Sequence, residues 1–327
     1  MKLRVLGAFG GEGLGHRPTA FLINDRTLID AGTVSSALTV PEQLSIEHAL
    51  ISHSHLDHIA GLVYLSETLG FCETGAAVTV TGIDPVVSTL RWSVFNNVLW
   101  PDFSKIPHAD VPVVKYRALV EDVEQRVADL WVTPVHVNHT VPTTGFIIHD
   151  GSSGLIYSGD TGPTDALALS DRLAVMGDGR ALQVGNPDEL YHRPSSRAVA
   201  ETLGPANFLR VSVVEVRDLG VVVETDGGHQ VPVAGTGAFR KGDRGLLVLR
   251  PETLSLTEAA MARGPGIPGK VALRVFEGAR HLYEIEIGGT LPVRVEVPST
   301  GETRIYRLGD RVRVEVSSET VVLVPDA

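Results

Sequence analysis

Four side chains that can bind a metal ion fall within the segment His53-Ser54-His55-Leu56-Asp57-His58. Alternate residues of an extended turn share a face, so His53 and His55 can point at one ion. Asp57 and His58 would begin a helix and point at a neighbouring position. Two imidazoles on one ion, with a carboxylate and an imidazole on a second, is the ligand arrangement that a two-metal hydrolase needs. A loop that is rich in histidine by chance is the alternative, and this spacing after a strand argues against it.

The elements around the cluster are a strand, a helix and a second strand end. The apolar run 49–51 before the cluster predicts a buried strand, and the apolar spacing over 59–65 after it predicts a helix. Leu28–Gly32 predicts another strand, which ends at Asp30. Asp30 is either a turn-initiating residue or an acceptor that orients a ligand histidine, and the spacing leaves both readings open.

Two later strand ends carry further candidate ligands. His136 and His139 follow a strand predicted at Leu130–His136. His139 is the better ligand candidate because it lies at the turn, whereas His136 is expected to pack or to support a ligand. Asp160 ends the apolar strand at 155–158 and lies between two glycines, where the backbone can approach closely. It would bridge two ions, or it is a plain turn aspartate.

The remaining pattern of the first half alternates strands with helices. Strands are predicted at Ala77–Gly82 and Val111–Tyr116, with a helix at Pro85–Leu99 between them. This alternation indicates a layered α/β domain.

Composition limits the class of partner. The chain has 327 residues and a net charge of -11, from 28 basic and 39 acidic residues, which argues against a nucleic-acid polymer as partner. Cys72 is the single cysteine, so an internal disulfide is excluded and a reducing, cytoplasmic location is expected. Because no apolar run approaches the roughly 18 residues of a membrane span, membrane insertion is not expected.

Residues 1–165 resemble the metallo-β-lactamase superfamily, and in particular class II cyclic-nucleotide phosphodiesterases. The motifs that carry the resemblance are Leu28 to Gly32, His53 to Leu62, His139 to Phe146 and Tyr157 to Asp160. The resemblance implies two divalent metal ions, zinc with manganese or iron as alternatives. It places His53, His55 and His139 on one ion, Asp57 and His58 on the second, and Asp160 between them. Asp57 and His58 are the catalytic candidates, and a hydroxide between the ions would attack phosphorus.

One ligand of that superfamily has no counterpart in a matching context. Its members carry a further histidine in their second half, which completes the second ion. The histidines after Asp160 here are His192, His229 and His281. The first domain is therefore expected to be a truncated αββα type with an incomplete second half.

The second half resembles a different family. Residues 166–204 resemble the end of an ABC importer ATP-binding subunit, where a helix, a hairpin and a further helix form a short αββα-like segment. Residues 205–327 are all-β in pattern and resemble the tandem TOBE domain of such subunits, a pair of OB-like barrels. Gly242-Asp243-Arg244 recurs as Gly309-Asp310-Arg311, and Met261–Lys270 is predicted to link the copies. The chain has no phosphate loop of the ATPase type, so ATP hydrolysis by this chain alone is not expected.

These observations predict α/β plus all-β architecture and leave three functions open. The first is a hydrolase of small phosphodiesters, impaired if the missing ligand is needed. The second is a non-enzymatic regulatory chain that contacts an ABC importer subunit through the TOBE domain. The third is a β-lactam or thioester hydrolase, since substrate choice lies in loops. A homodimer is a further expectation.

Overall fold

The computed structural model describes residues 1–72, 74–161, 170–177, 179–235, 239–258, 266–288, 292–300 and 303–326. The chain divides into two compact units, residues 1–182 and 183–327.

Among the described residues, the first unit consists mainly of two sheets and three short or medium helices. Its strands are β1 (Leu3–Gly7), β2 (Ala20–Ile23), β3 (Thr27–Ile29), β4 (His48–Leu50), β5 (Val78–Ile83), β6 (Pro107–His108), β7 (Val111–Pro112), β8 (Val114–Leu119), β9 (Gln125–Val127), β10 (Leu130–His136), β11 (Thr144–His149), β12 (Gly154–Tyr157) and β13 (Leu173–Gly177). Its helices are α1 (Val40–Leu44), α2 (Leu56–Phe71) and α3 (Asp84–Thr89), and α3 continues into a π-helical turn at Leu90–Val94.

The two sheets pack face to face. The first has the order β1-β2-β3-β4-β5-β8, antiparallel from β1 to β3 and parallel from β3 to β8, and the second has the antiparallel order β12-β11-β10-β9. Ile29 and Leu50 of the first sheet share a buried apolar cluster with Val132 and Phe146 of the second. Ala49, on the opposite face of β4, belongs to the cluster that also contains residues of α2. The first sheet is therefore covered on both faces, as its strands of consecutive apolar residues require.

Parallel pairing sets the position of the candidate site. β3 and β4 are parallel neighbours, so the residues that follow them leave the sheet at the same edge. Asp30 follows β3, and its backbone N–H donates to the carbonyl of Leu50 at 2.8 Å. The metal-competent cluster begins immediately after β4 and leads into α2.

Two elements differ from the sequence predictions. The helix predicted at Pro85–Leu99 ends at Val94, because the Phe95 N–H donates to the carbonyl of Leu90 and widens the last turn. The strand predicted at Val111–Tyr116 is divided into β7 and β8. Its break is at Val113, whose N–H donates to the carbonyl of Ile106 at 2.9 Å and so leaves the sheet.

The second unit is largely β. β14 (Arg180–Gly185) pairs with β13, and the division between the units falls within it. The other elements are α4 (Pro187–His192), α5 (Arg197–Leu203), β15 (Asn207–Arg217), β16 (Gly220–Thr225), β17 (Gln230–Ala234), β18 (Arg244–Leu249), a 3₁₀ turn (Pro251–Thr253), β19 (Ser255–Glu258), β20 (Gly266–Phe276), β21 (Arg280–Glu286), β22 (Val293–Pro298), β23 (Arg311–Glu315) and β24 (Val322–Pro325). The helix predicted to open the segment at residue 166 lies, over 166–169, outside the described residues.

Two five-stranded antiparallel sheets form this unit and exchange strands. Their orders are β17-β16-β15-β18-β24 and β19-β23-β20-β21-β22. β24 is the last strand of the second copy in sequence, but it pairs with β18 of the first copy. Conversely, β19 pairs with β23 of the second copy. Residues 266–270 of the predicted linker belong instead to β20, and residues 261–265 lie outside the described part of the chain. Gly266 and Gly269 occur there because a Cβ at either would lie within 3 Å of a backbone oxygen of a neighbouring strand.

None of the helices in the described residues combines the length and the apolar character that crossing a bilayer requires.

Candidate metal centre

Three histidines of the first unit form one compact group. Nε2 of His53 lies 3.0 Å from Nδ1 of His55, and Nε2 of His139 lies 3.4 Å from the same atom. Nitrogen ligands of a tetrahedral zinc ion lie about 3.3 Å apart, since each Zn–N bond is about 2.0 to 2.1 Å. The group therefore has the dimensions of a three-histidine metal site.

A second group shares His53 and adds His58 and Asp160, with one ligand atom of each residue within 4.8 Å of the others. Nε2 of His58 lies 3.4 Å from Oδ1 of Asp160 and 3.5 Å from Oδ2 of Asp57. This nitrogen is buried and makes no well-formed hydrogen bond within the part of the chain that the structure describes. A buried nitrogen directed between two carboxylates, with no hydrogen-bond partner of its own, fits a cation at this position.

The Asp30 carboxylate organises both groups. Its Oδ2 accepts hydrogen bonds from Nδ1 of His58 (2.7 Å), Oγ of Ser52 (2.8 Å) and Oη of Tyr157 (2.6 Å), and its Oδ1 accepts one from the Ser52 N–H (2.7 Å). Ser52 Oγ also lies 3.0 Å from Nδ1 of His53. Because both Nδ1 atoms are engaged on this side, the Nε2 atoms of His53 and His58 are left to face a cation.

Backbone contacts hold Asp30 and His58 in register. Asp30 has φ 52°, a left-handed conformation that non-glycine residues seldom adopt. The N–H of Ala31 donates to the carbonyl of His58 at 2.7 Å, so the loop after β3 contacts His58 through both main chain and side chain. The close approach needs Gly61, where a Cβ would lie 2.7 Å from Val34 N.

The surroundings shift the pKa values of the two central histidines, His53 and His58, in opposite directions. Burial, reinforced by the proximity of His58, lowers the pKa of His53 to about 4. Burial also acts to lower the pKa of His58, but the carboxylates of Asp160 and Asp30 outweigh it and raise that pKa to about 10. The interaction with His58 in turn lowers the pKa of Asp160. His53 is thus neutral and Asp160 ionised at neutral pH, the forms in which each binds a metal.

The predicted site residues separate into those that converge and one that does not. His53, His55, His58, His139 and Asp160 lie in the two groups, with Asp57 beside His58 and Asp30 behind it.

His136 does not take the supporting position that was expected of it. Its side chain is 80% exposed, and its Nδ1 lies 4.0 Å from Glu121. His136 is the last residue of β10, and the alternation of buried and exposed residues ends there: Val132 and Pro134 are buried, whereas His136 two positions later is exposed. The late histidines His192, His229 and His281 belong to the second unit and to neither group.

Two contributors were missed from the sequence. Ser52 follows the apolar run 49–51, and Tyr157 opens the motif Tyr157 to Asp160, but neither was predicted to contact a ligand. The position of Tyr157 three residues before Asp160 was the only available signal, and nothing local distinguishes it from a packing residue.

Comparison with known proteins identifies both halves. A family model described as "Beta-lactamase superfamily domain" matches residues 25–200, more than half of the chain. The chain belongs to this superfamily. A model described as "TOBE domain" matches residues 247–324 of this superfamily member. The two resemblances predicted from the sequence are confirmed, and the architecture is a metallo-β-lactamase fold followed by an all-β, OB-like TOBE domain.

Individual proteins similar to this chain include importer ATP-binding proteins and a metallo-beta-lactamase fold protein. The spermidine/putrescine import ATP-binding protein PotA 1 of Pseudomonas aeruginosa is 30% identical over 162 residues, which are 50% of this chain and 43% of that protein. The chain thus spans less than half the length of this curated relative. Among solved structures, the metallo-beta-lactamase fold protein YhfI from Bacillus subtilis is 18% identical with a TM-score of 0.39, covering 51% of this chain and 65% of that one. Unliganded yeast PDE1 is 18% identical with a TM-score of 0.40, covering 62% and 71%.

Proposed function

We propose that residues 1–165 act as a metal-dependent hydrolase of small phosphodiesters, with cyclic nucleotides as the favoured class. The observation that carries the proposal is the convergence of ligand-type side chains from separate strand ends. The segment from His53 to His58, His139 and Asp160 are distant from one another in sequence, yet their ligand atoms meet in two overlapping groups. A merely structural histidine cluster would not need a buried Nε2 that faces two carboxylates at 3.4 and 3.5 Å without a well-formed hydrogen bond to either.

Two divalent cations fit the donor set. His53, His55 and His139 would hold one; His58 and Asp57 would hold the second, with Asp160 between them. Imidazole and carboxylate ligands suit zinc, and they also suit manganese or iron. Such ions supply Lewis-acid charge and a nucleophile at neutral pH. The chain itself carries a net charge of -11, so a phosphodiester needs that positive charge in order to bind.

The side chains of the second group define the face that substrate approaches. Asp57 and Asp160 are 22% and 46% exposed, whereas His58 behind them is 1% exposed. Gly10 borders the same face, since a Cβ there would lie 3.8 Å from Asp57 Oδ2. The carboxylates are therefore the groups that can touch substrate and accept or return a proton, while His58 is fixed from behind by Asp30.

Metal content and turnover test the proposal. The purified full chain, loaded with zinc or manganese, should bind between one and two ions and hydrolyse bis(p-nitrophenyl) phosphate or a cyclic nucleotide. His139→Ala should remove the ion held by the three histidines and abolish turnover. His149→Ala is the matched control. His149 is the last residue of β11, pairs with Glu124 and lies in neither ligand group.

Two other outcomes would change the conclusion. Fewer than one bound ion per chain together with no phosphodiester turnover would overturn it. Hydrolysis of a β-lactam or a thioester instead would support the proposed metal centre but would contradict the proposed phosphodiester substrate.

A second function is favoured for the C-terminal half by its TOBE match and its similarity to importer ATP-binding proteins. In this alternative the chain is a cytoplasmic regulatory partner that contacts an ABC importer subunit. The first unit then need not be catalytically active. Co-purification with an importer permease would support it. Full phosphodiester turnover without any importer contact, from a monomer or a homodimer, would count against it.

A further inference from the structure

The Tyr157 hydroxyl is joined to the second ligand group through Asp30. Its Oη donates to Asp30 Oδ2 at 2.6 Å, although the two residues are 127 positions apart. The same oxygen accepts from Nδ1 of His58 at 2.7 Å. Three residues after Tyr157, Asp160 lies 3.4 Å from the other ring nitrogen of His58. The end of β12 and the residues that follow it therefore act on both sides of the His58 ring, through Asp30 on one side and Asp160 on the other.

Packing alone does not account for a tyrosine at this position. The ring contacts Phe21 edge-on, with centroids 5.5 Å apart, and pairs across the sheet with Phe146. Phenylalanine would make the same contacts. The hydroxyl adds a buried polar group, which costs free energy unless it is hydrogen-bonded, and its bond goes to the carboxylate that supports His58.

Asp30 depends on such contacts for its orientation. Its left-handed backbone, with φ 52°, is a conformation that persists only when surrounding contacts stabilise it. Its Oδ2 accepts from three side chains, of which Ser52 and His58 both come from the segment after β4, while Tyr157 comes from the other sheet. Tyr157 is thus the contact that joins the carboxylate to β12, the strand that precedes Asp160.

We propose that Tyr157 is a positioning residue of the second ion group, which holds the Asp30 carboxylate so that Nε2 of His58 stays directed at Asp57 and Asp160. This inference rests on the proposed metal-dependent function and deepens it. The effect should be larger on the second ion, because Asp30 bonds His58 of that group directly and reaches His53 of the three-histidine group only through Ser52.

The test compares Tyr157→Phe with wild type in the full chain. Cobalt(II) or zinc is titrated into metal-free protein, and the two ions are followed by calorimetry and by the visible cobalt spectrum. Loss of an outer contact to a ligand histidine weakens metal binding by about 10- to 100-fold. We expect a loss of that size for the ion at His58, with a changed cobalt band, and a smaller loss for the ion at the three histidines.

The matched control is Tyr116→Phe. Its hydroxyl is also buried but makes no hydrogen bond within the described residues, so both ions should bind as in wild type. In metal-free protein, Tyr157→Phe should lower the melting temperature, and it should lower it much less when Asp30→Asn is already present.

Three results would overturn the inference. These are equal affinity of Tyr157→Phe and wild type for the second ion, an equal loss of both ions, or additive effects of Tyr157→Phe and Asp30→Asn. Wild-type protein that binds no ion would instead defeat the proposed function, and the additivity measurement in metal-free protein would still decide whether Tyr157 acts through Asp30.

Discussion

Nδ1 of His58 lies 2.7 Å from Oδ2 of Asp30, and the two side chains are 1% and 0% exposed. This buried pair joins the loop after β3 to the first turn of α2. Metal-free protein therefore contains an imidazolium ion whose charge is balanced from behind by Asp30 and from the front by Asp160. The pair stabilises the first unit as well as the candidate centre.

Asp30→Asn should destabilise metal-free protein by about 3 to 5 kcal/mol, the usual cost of removing one partner of a buried ion pair. Asparagine tolerates the left-handed backbone, so the loss arises from charge and not from strain. Urea unfolding of the metal-free chain measures it.

The control for that substitution is Asp122→Asn. Asp122 also has a positive φ, of 58°, but its side chain is exposed. It should change the free energy of unfolding by less than about 0.5 kcal/mol. Equal effects of the two substitutions would show that His58 does not need a charged partner.

Metal binding should release protons unequally from the two central histidines. The raised pKa of His58, about 10, means that the metal-free side chain is protonated at pH 7.5 and must lose that proton to bind an ion. The lowered pKa of His53, about 4, means that it is already neutral. The second ion should therefore release about one proton from His58, and its affinity should fall about tenfold per pH unit below pH 7.5.

Calorimetric titration at pH 7.5 in buffers of different ionisation enthalpy measures this release. The slope of observed enthalpy against buffer enthalpy gives the proton count for each ion. His58→Gln should remove the proton that His58 releases when the second ion binds. A slope near zero for that ion in wild-type protein would contradict the prediction.

The local part of the site could be predicted from sequence, and the long-range part could not. The spacing of His53, His55 and His58 after an apolar run predicts their convergence, because strand and helix geometry act over a few residues. Nothing in the spacing places His139 or Asp160 beside them; resemblance to a family did that. The Asp30–Tyr157 bond depends on two sheets packing face to face, which a one-dimensional pattern does not specify.

Two predictions of secondary structure were wrong. The predicted helix continued to Leu99, but the backbone leaves the helical conformation at Phe95, whose N–H donates to the carbonyl of Leu90. Glycines at 266 and 269 predicted a linker, yet they mark a strand whose neighbours approach too closely for a side chain. In the second case tertiary contacts outweigh the local preference.

Gly61→Ala should destabilise the first unit, although the same change in most helices is favourable by about 1 kcal/mol. Its Cβ would lie 2.7 Å from Val34 N and 2.8 Å from the carbonyl oxygen of Ala31. Backbone cannot move aside as a flexible side chain can, so we expect a loss of about 1 to 3 kcal/mol. Gly11→Ala, where no atom lies within 4 Å, is the control, and a stabilising Gly61→Ala would contradict the assigned contact. Chemical denaturation gives both values.

In the second unit, β24 belongs to the same sheet as β18. A change in β24 should therefore affect that sheet. Leu323 is 5% exposed and pairs with Leu247 of β18, so Leu323→Ala should cost about 2 to 5 kcal/mol. Hydrogen exchange should rise at the backbone amides of β18, more than 70 residues earlier in the chain. Leu308→Ala, at a 71% exposed position, should change neither quantity.

The exchange pattern distinguishes shared sheets from separate copies. If each copy folded by itself, loss of the Leu323 side chain would loosen only the copy that contains β20 to β23. Because β24 completes the sheet of β15 to β18, we expect faster exchange in both copies, with the larger change in β18. Mass spectrometry of peptides covering 207–217 and 244–249 measures it, and faster exchange confined to residues 266–315 would show that the two sheets are not joined through β24.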